Sequence, residues 1–312
     1  MSKANRQVTL AARPVGFPKG SDFKLVETER PALEDGQIVI KTEWLTVDPY
    51  MRGRMNEMRG YAEPFAIGKV IGGGATGKVI ESRNANFPVD CWVTGSWGWQ
   101  DFYVTDGSDV QSVDPSLAPV QTSLGVLGMP GMTAYFGLLE ITHPKEGDTL
   151  FVSGAAGAVG ELVGQIGKIK GCKVYGSAGT DEKVAHLLNE CGYDGAFNYK
   201  KETDWMGAIK KMCPQGIDIY FDNVGGDMTD AVMMNVNQFA RISICGAISA
   251  YNITTPDVGP RLFTLLLIRQ ATATGFLVPQ FLNKWPEGVR QMAQWIKEGK
   301  IRYREDVVEG LE

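Results

Sequence analysis

Two regimes of hydrophobic patterning divide the chain. Up to about residue 122, apolar positions come in short runs broken by glycine and proline: residues 37–42 (QIVIKT) alternate, residues 68–80 (GKVIGGGATGKVI) are glycine-dense between valines, and 90–94 and 101–105 continue the rhythm. Short runs between turn residues predict strands, so this stretch is read as a compact β-rich domain, a barrel or sandwich. Trp97 and Trp99 fall between two of those strands. Buried aromatics mostly serve cores, so packing is preferred over the alternative that they line a substrate cleft. From residue 122 onward, helical periods alternate with apolar strands. The pattern predicts helices over 124–140 despite Pro130, and over 183–191, 205–211, 228–237 and 292–297. Strands are predicted from Thr149 and over 173–177, 195–198, 217–222, 240–245 and 273–278, with residues 307–312 (VVEGLE) as a strand-loop. This alternation is βαβ logic and predicts a parallel sheet with helices on both faces.

The parallel sheet acquires chemistry at residues 149–160, TLFVSGAAGAVG. An apolar strand runs into a turn holding Gly154, Gly157 and Gly160, followed by an amphipathic run to Lys170 and a second strand, which is the context a dinucleotide fingerprint needs. Gly157 would let the backbone approach a pyrophosphate, Gly160 would let helix and strand pack closely, and the helix N-terminus would face the phosphates. Ala155 stands where the usual first glycine would be, and a plain tight strand-to-helix turn is the competing reading. The second strand ends in Ser177, Ala178 and Gly179, where an NAD-selective fold offers a carboxylate to the ribose. Asp181 and Glu182 come later, behind Thr180, as first-turn acids after an N-cap. Small residues leave room for a 2′-phosphate and Lys183 offers positive charge, which favours NADP over NAD; the alternative for Lys183 is a solvated helix lysine. Ligands on such sheets sit at the carboxyl ends of strands, a rule that points to Asn223, residues 246–251 and residues 276–278.

With 312 residues, 44% hydrophobic and 21% charged, the chain has room for two domains with real cores. Its net charge of -5 argues against a nucleic-acid binder or a basic membrane-surface protein. No segment reaches the roughly 18 apolar residues of a membrane span, and residues 1–16 lack a sustained apolar leader, so neither membrane insertion nor secretion is expected. The widely spaced Cys91, Cys172, Cys191, Cys213 and Cys245 fit a reducing cytoplasm. No short cysteine or histidine spacing marks a zinc site, and the two histidines are His143, beside Pro144, and His186 on a predicted helix, so no metal is expected.

Seven stretches taken in order, VDPYMRGRM (47–55), SGAAGAVG (153–160), TDEKVAHL (180–187), FNYK (197–200), FDNVGG (221–226), ICGAISAYN (244–252) and EGKI (298–301), resemble one family over nearly the whole chain. It is the zinc-independent medium-chain dehydrogenase/reductases, specifically the prostaglandin reductase and leukotriene B4 12-hydroxydehydrogenase group of NADP-dependent alkenal/one reductases. The resemblance implies a GroES-like β-rich catalytic domain over 1–122, a Rossmann NADP-binding domain with a doubly wound parallel sheet over 123–297, and a return to the catalytic domain over 298–312. Members of the group continue with a helix, a final strand and a late asparagine near the cofactor, so a chain ending at Glu312 is expected to be a truncated form. Residues 46–52 carry no Cys or His, where zinc-containing relatives place a ligand.

By motif match, Gly157, Ala158 and Val159 would hold the pyrophosphate, with Gly154 and Ala156 of the same turn also touching the cofactor. Lys183 and Tyr199 would hold the 2′-phosphate. Asn223, Cys245, Gly246, Ala247, Ile248, Ser249 and Tyr251 would line the ribose and nicotinamide side, and Phe276, Leu277 and Val278 the carboxamide. The implied reaction reduces the carbon–carbon double bond of enals and enones, including 15-keto-prostaglandins, by hydride transfer from NADPH without a metal. Tyr251 and Tyr50 are the candidate donors to the developing oxyanion, each weighed against a packed aromatic with its hydroxyl at the surface. Arg52 is read as a structural ion-pair residue. A quinone reductase of the same superfamily and a non-catalytic, crystallin-like NADPH-binding protein are the alternatives. A homodimer is expected by analogy, with residues 273–278 at a sheet edge.

Overall fold

In the computed structural model, which describes residues 4–57 and 60–312, the chain divides into two units, Met1–Leu124 with Asp306–Glu312, and Gly125–Glu305. The start of the N-terminal leader reading, residues 1–3, lies outside the described residues.

In the first unit β1 (Ala4–Leu10) and β2 (Phe23–Glu29) form an antiparallel pair that the patterning did not reveal. A five-stranded antiparallel sheet follows, built from β3 (Ile38–Leu45), β4 (Ala75–Ser82), β5 (Trp92–Gly95), β6 (Phe102–Thr105) and β7 (Val110–Val113) in the order β6-β3-β4-β5-β7. Alternation seats Ile38 and Ile40 with Ala75, Val79 and Val93 in one core. A second core gathers Val8, Leu10, Met51, Met55, Phe65 and Ile71, with Leu311 packed against it. Arg6 Nη1 donates to Glu312 Oε1 at 2.7 Å, so the last residues rejoin this unit. The tryptophans pack: Trp97 stacks on Tyr103 with centroids 5.7 Å apart and donates to Thr42 Oγ1 at 2.9 Å, while Trp99 Nε1 donates to the Thr46 carbonyl at 2.9 Å. Between β3 and β4 lies a short helix, α1 (Tyr50–Arg54), which begins directly after Pro49.

The second unit runs α2 (Met129–Thr142), β8 (Thr149–Val152), α3 (Gly160–Ile169), β9 (Lys173–Ala178), α4 (Asp181–Asn189), β10 (Gly195–Asn198), α5 (Trp205–Met212), β11 (Ile217–Asp222), α6 (Gly226–Met233), β12 (Val236–Ile244), α7 (Phe263–Arg269), β13 (Thr272–Gly275) and α8 (Trp285–Lys297). Its six strands are parallel in the order β10-β9-β8-β11-β12-β13. The chain therefore winds outward from β8 to β10 and then restarts on the other side at β11. That is the doubly wound arrangement, with its switch point between β8 and β11. One core holds Leu150, Val152, Val174, Ile219 and Phe221 against α2, α3 and α8; the other holds Phe151, Tyr220 and Ile242 against α5, α6 and α7.

Helix ends follow backbone chemistry that periodicity does not encode. Pro130 and Pro286 sit in the first turns of α2 and α8, where a missing N–H costs nothing, so α2 starts later than the pattern suggested and α8 earlier. The helix predicted over 228–237 stops at Met233, because β12 begins at Val236 and carries a register shift with Phe239 at φ 61°. Strand β13 ends at Gly275, short of the predicted 278, and the apolar run that forms α7 was not read as an element. Residues 307–312 form no strand. Arg241 closes the far end of α2, donating to the carbonyls of Thr142 and His143 at 2.9 and 3.0 Å and to Asp148 at 2.8 Å.

Helix α3 lies unusually close to its surroundings along one face. A Cβ on Gly160 would come within 2.4 Å of the Gly154 carbonyl oxygen, one on Gly164 within 2.1 Å of the Tyr193 ring, and one on Gly167 within 2.6 Å of Leu150. The spacing places these three glycines on one face of the helix. Tyr193 in turn donates to the Gly160 carbonyl at 2.8 Å and is buried, so its ring cannot swing away cheaply. Gly164→Ala is expected to lower the unfolding free energy by about 1–3 kcal/mol, as overpacking does, in a urea titration; an unchanged midpoint would mean that the ring relaxes freely.

Candidate functional site

At the switch point, β8 ends in Ser153 and the chain turns through Gly154, whose φ of 59° is left-handed and free of strain only for glycine. Ala155 fills the position of the usual first fingerprint glycine: its side chain is buried, and its N–H donates to the Ser177 carbonyl at 2.9 Å, locking the turn to the end of β9. Gly157 and Ala158 are exposed at the tip. The backbone N–H groups of Ala156, Ala158 and Val159 have no hydrogen-bond partner among the described residues and open the first turn of α3. Free N–H groups at a helix N-terminus, next to a glycine with room above it, suit an anionic diphosphate.

The end of β9 is built for a different charge pattern. Ser177 and Ala178 are buried, and the hydroxyl of Tyr199 lies 3.0 Å from where a Cβ on Gly179 would stand, so the glycine makes room for that ring. Tyr199 is held by its own backbone N–H on the Ala178 carbonyl at 3.0 Å and by an edge-on contact with Trp205. Thr180 caps α4, accepting from the Lys183 N–H at 3.2 Å. Asp181 is engaged by Asn198 Nδ2 at 2.7 Å and by the Lys201 ammonium, and these partners hold its carboxyl below the usual range. The acid nearest the end of β9 is thus already paired. Lys183 is exposed, and its ammonium makes no ion pair among the described residues.

The third and fourth strand ends are tied together by Asp222, which sequence inspection passed over. Its buried carboxylate accepts from Ser153 Oγ at 2.9 Å, from the Val224 and Gly225 N–H groups at 2.9 Å each, and from Thr229 Oγ1 at 2.5 Å. Its carbonyl accepts from the N–H groups of Cys245 and Gly246 at 2.8 and 3.0 Å. Asn223 then spans the switch point: its N–H donates to Ser153 Oγ at 3.0 Å and its Nδ2 to the Ser153 carbonyl at 2.8 Å. The Ile248 N–H donates to the Asn223 carbonyl at 3.3 Å, and Ser249 Oγ donates to the Val224 carbonyl at 2.6 Å. The loops after β8, β11 and β12 are therefore one hydrogen-bonded rim.

On that rim Ala247, Ile248 and Ser249 are exposed and Gly246 and Tyr251 half-buried, with the Tyr251 hydroxyl 3.4 Å from where a Cβ on Gly246 would lie. The Cys245 thiol is pushed up to about 12, by burial first and by nearby Asp222 second, which makes it an inert packing residue. Phe276 and Val278 are buried, the Phe276 ring edge-on to Phe221, so of the predicted carboxamide contacts only Leu277 presents an exposed side chain.

In the first unit, Tyr50 opens α1 and lines a small cavity of about 90 Å³ with Gly53, Arg54, Gly60, Tyr61 and Ala62. Burial, followed by the charge of Asp48, pushes its phenol up to about 12, so it stays a hydrogen-bond donor across the physiological range. Arg52 donates to the Pro14 and Gly16 carbonyls at 3.2 and 3.0 Å and to Asn56 Oδ1 at 2.7 Å, which gives it a structural role.

One convergence was invisible in the sequence: Glu161, His186 and Cys191, spaced too widely for any metal motif, meet in the interior of the second unit.

The chain is similar to known proteins along almost its full length. Residues 6–113 match the family model described as N-terminal domain of oxidoreductase, and residues 158–297 the one described as zinc-binding dehydrogenase. An NADPH-dependent curcumin reductase of Escherichia coli is 44% identical over 99% of this chain and 90% of its own length. An NADP(+)-dependent 2-alkenal reductase of Nicotiana tabacum is 43% identical over 99% of this chain and 91% of its own. The crystal structure of CurA from Vibrio vulnificus in complex with NADPH superposes with a TM-score of 0.94 at 44% identity, covering 98% of this chain and 92% of that one. Among the described residues no helix is long and apolar enough to cross a membrane.

Removing the Asp222 carboxylate strands several buried donors at once. Asp222→Ala is expected to lower the unfolding free energy by about 3 kcal/mol and to abolish detectable NADPH binding in a fluorescence titration. A variant that kept wild-type stability and affinity would show that the rim holds its shape without this anchor.

Proposed function

The chain belongs to the medium-chain dehydrogenase/reductase family, in the group of the NADP-dependent alkenal and prostaglandin reductases, and we propose that it reduces the carbon–carbon double bond of α,β-unsaturated aldehydes and ketones. The observation that carries the cofactor half of this reading is local. Beyond an acid-free strand end, Asp181 is neutralised by Lys201 and Asn198, while the Lys183 ammonium is left for a phosphate. The substrate half rests on relatives named for alkenals, curcumin and prostaglandins at 42–44% identity.

In this reading the Gly157, Ala158 and Val159 backbone holds the pyrophosphate, with Gly154 and Ala156 shaping the turn, and Lys183 and Tyr199 hold the 2′-phosphate. Asn223, the loop of residues 245–251 and residues 276–278 position the nicotinamide end. Bound NADPH supplies the hydride that the reduction of an olefin requires. The protein's own task is to stabilise the negative charge that accumulates on the substrate carbonyl oxygen, which the phenols of Tyr251 and Tyr50 are suited to do as neutral donors. Water can return the proton to the α-carbon, so the reduction needs no metal. Which enal or enone is preferred is set by side chains from distant loops that shape the pocket.

Strand β13 is an edge strand of the second sheet, with Thr272, Ala273 and Gly275 exposed, and Phe263, Leu267 and Ile268 of neighbouring α7 are exposed apolar residues. An uncovered edge beside apolar surface favours pairing with a second copy, so a homodimer is proposed. Five unpaired cysteines agree with a reducing, cytoplasmic setting.

Three measurements test this reading. Lys183→Ala is expected to weaken NADPH about 10–100-fold, the worth of one charge-assisted contact, with NADH affinity nearly unchanged; equal losses for both would remove the charge argument. Tyr251→Phe is expected to lower kcat on an enone about a hundredfold, with NADPH affinity retained. NADPH oxidation by wild-type protein with quinones but with neither short enals, ring enones nor 15-keto lipids would overturn the substrate assignment.

A further inference from the structure

Glu161 lies in the first turn of α3, His186 on the inner face of α4, and Cys191 just beyond the end of α4. Their polar atoms converge in the interior of the second unit. His186 Nε2 is 3.2 Å from Glu161 Oε2 and 3.3 Å from Cys191 Sγ, and all three donor atoms lie within 4.8 Å of one another. The His186 and Glu161 side chains are 6% and 9% exposed, and Cys191 is 5% exposed.

Without a metal this is an awkward set of neighbours. One imidazole nitrogen faces both a carboxylate and a thiol, and it carries at most one proton to share between them. Burial raises the Glu161 carboxyl and pushes the Cys191 thiol up to about 12, so both groups are held away from their charged forms. A dication at the centre changes the balance: a thiolate and a carboxylate neutralise it exactly where burial would otherwise penalise each charge alone. The two separations around Nε2 already suit it. Zinc bound at about 2.0–2.3 Å to N, O and S ligands in a tetrahedron sets neighbouring ligand atoms about 3.3–3.6 Å apart, close to the 3.2 and 3.3 Å separations around Nε2. The distal nitrogen supplies an independent sign: His186 Nδ1 is buried with no hydrogen-bond partner among the described residues, and the Glu190 carboxylate stands 3.2 Å away, where it can take up a proton held on Nδ1 once Nε2 binds a metal.

We propose that Glu161, His186 and Cys191 bind one zinc ion through Oε2, Nε2 and Sγ, with water in the fourth position. On binding, the thiol releases its proton to solvent, the carboxylate binds as the anion, and no electron is transferred. The ion joins the first turn of α3, which carries the phosphate-binding turn, to α4, which carries Lys183. It is a structural site, separate from the reduction proposed above and independent of it.

The test uses the full-length protein, stripped with a chelator and then titrated with cobalt(II) and, separately, with zinc. Expected are one cobalt per chain with a thiolate-to-cobalt charge-transfer band and tetrahedral visible absorption, and a melting temperature that rises with zinc. Cys191→Ser and His186→Gln should each abolish the charge-transfer band or weaken zinc by more than the ~10–100-fold that losing an outer-shell partner costs. Cys91→Ser, in the other unit, should leave both unchanged. A wild-type titration with no charge-transfer band and no thermal shift would overturn the proposal without recourse to any variant. So would a band that persists undiminished in Cys191→Ser, since the thiolate would then belong to another cysteine.

Discussion

A single buried carboxylate holds the mouth of the parallel sheet together. Asp222 ends β11 with both oxygens committed: to the Ser153 hydroxyl at the end of β8, to two N–H groups of its own loop, and to Thr229 on α6. Its carbonyl takes two further N–H groups from the loop after β12. Three strand ends separated by up to about ninety residues of chain are thereby fixed to one another. Hydrogen bonds to a buried anion are among the stronger ones a protein makes, and stranding their donors is expensive. The exposed backbone at Gly157 and Ala158 keeps its position because the residues behind it are fastened in this way.

The charge pattern at the end of β9 has an equally local cause. An acid does stand near the end of β9, but Asp181 is turned to Asn198 and Lys201, both contributed by β10 or the turn after it. The neighbouring strand thus neutralises the acid that stands nearest this strand end. Lys183, two positions further along the same helix, keeps its charge unpaired among the described residues.

Much of this was legible in the sequence and some was not, for identifiable reasons. Strands 195–198 and 217–222 were read to the residue, because short apolar runs between turn residues admit one interpretation. The Thr180 cap and the first-turn acids were read from a side-chain pattern that acts within one turn, and Thr180 does accept from Lys183. What failed was what depends on partners far away. The direction of the Phe276 and Val278 side chains, which turn into the core, could not be read, because β-strand periodicity gives none once the strand has ended at Gly275. The helix carried past Met233 failed because Phe239 adopts a left-handed conformation in a bulged strand. Asp222 was invisible because an aspartate at a strand end reads as a turn residue until four donors are seen aimed at its carboxylate. Glu161, His186 and Cys191 were missed for the converse reason: metal motifs are recognised by spacing, and these residues meet only through the packing of α3 on α4.

The glycine face of α3 has a consequence for how order arises in this part of the molecule. Ten residues make a marginal helix in water at best, and interior glycines at 164 and 167 each cost it about 1 kcal/mol relative to alanine. The segment is helical only while it is docked against Leu150, Val174 and Tyr193. Docking and coiling are therefore one cooperative event, and a transient lift of α3 from the sheet dissolves the anion-binding turn at its head. Whatever grips that turn also quiets the helix behind it, so occupancy of the mouth is communicated inward as slower amide exchange along the whole segment.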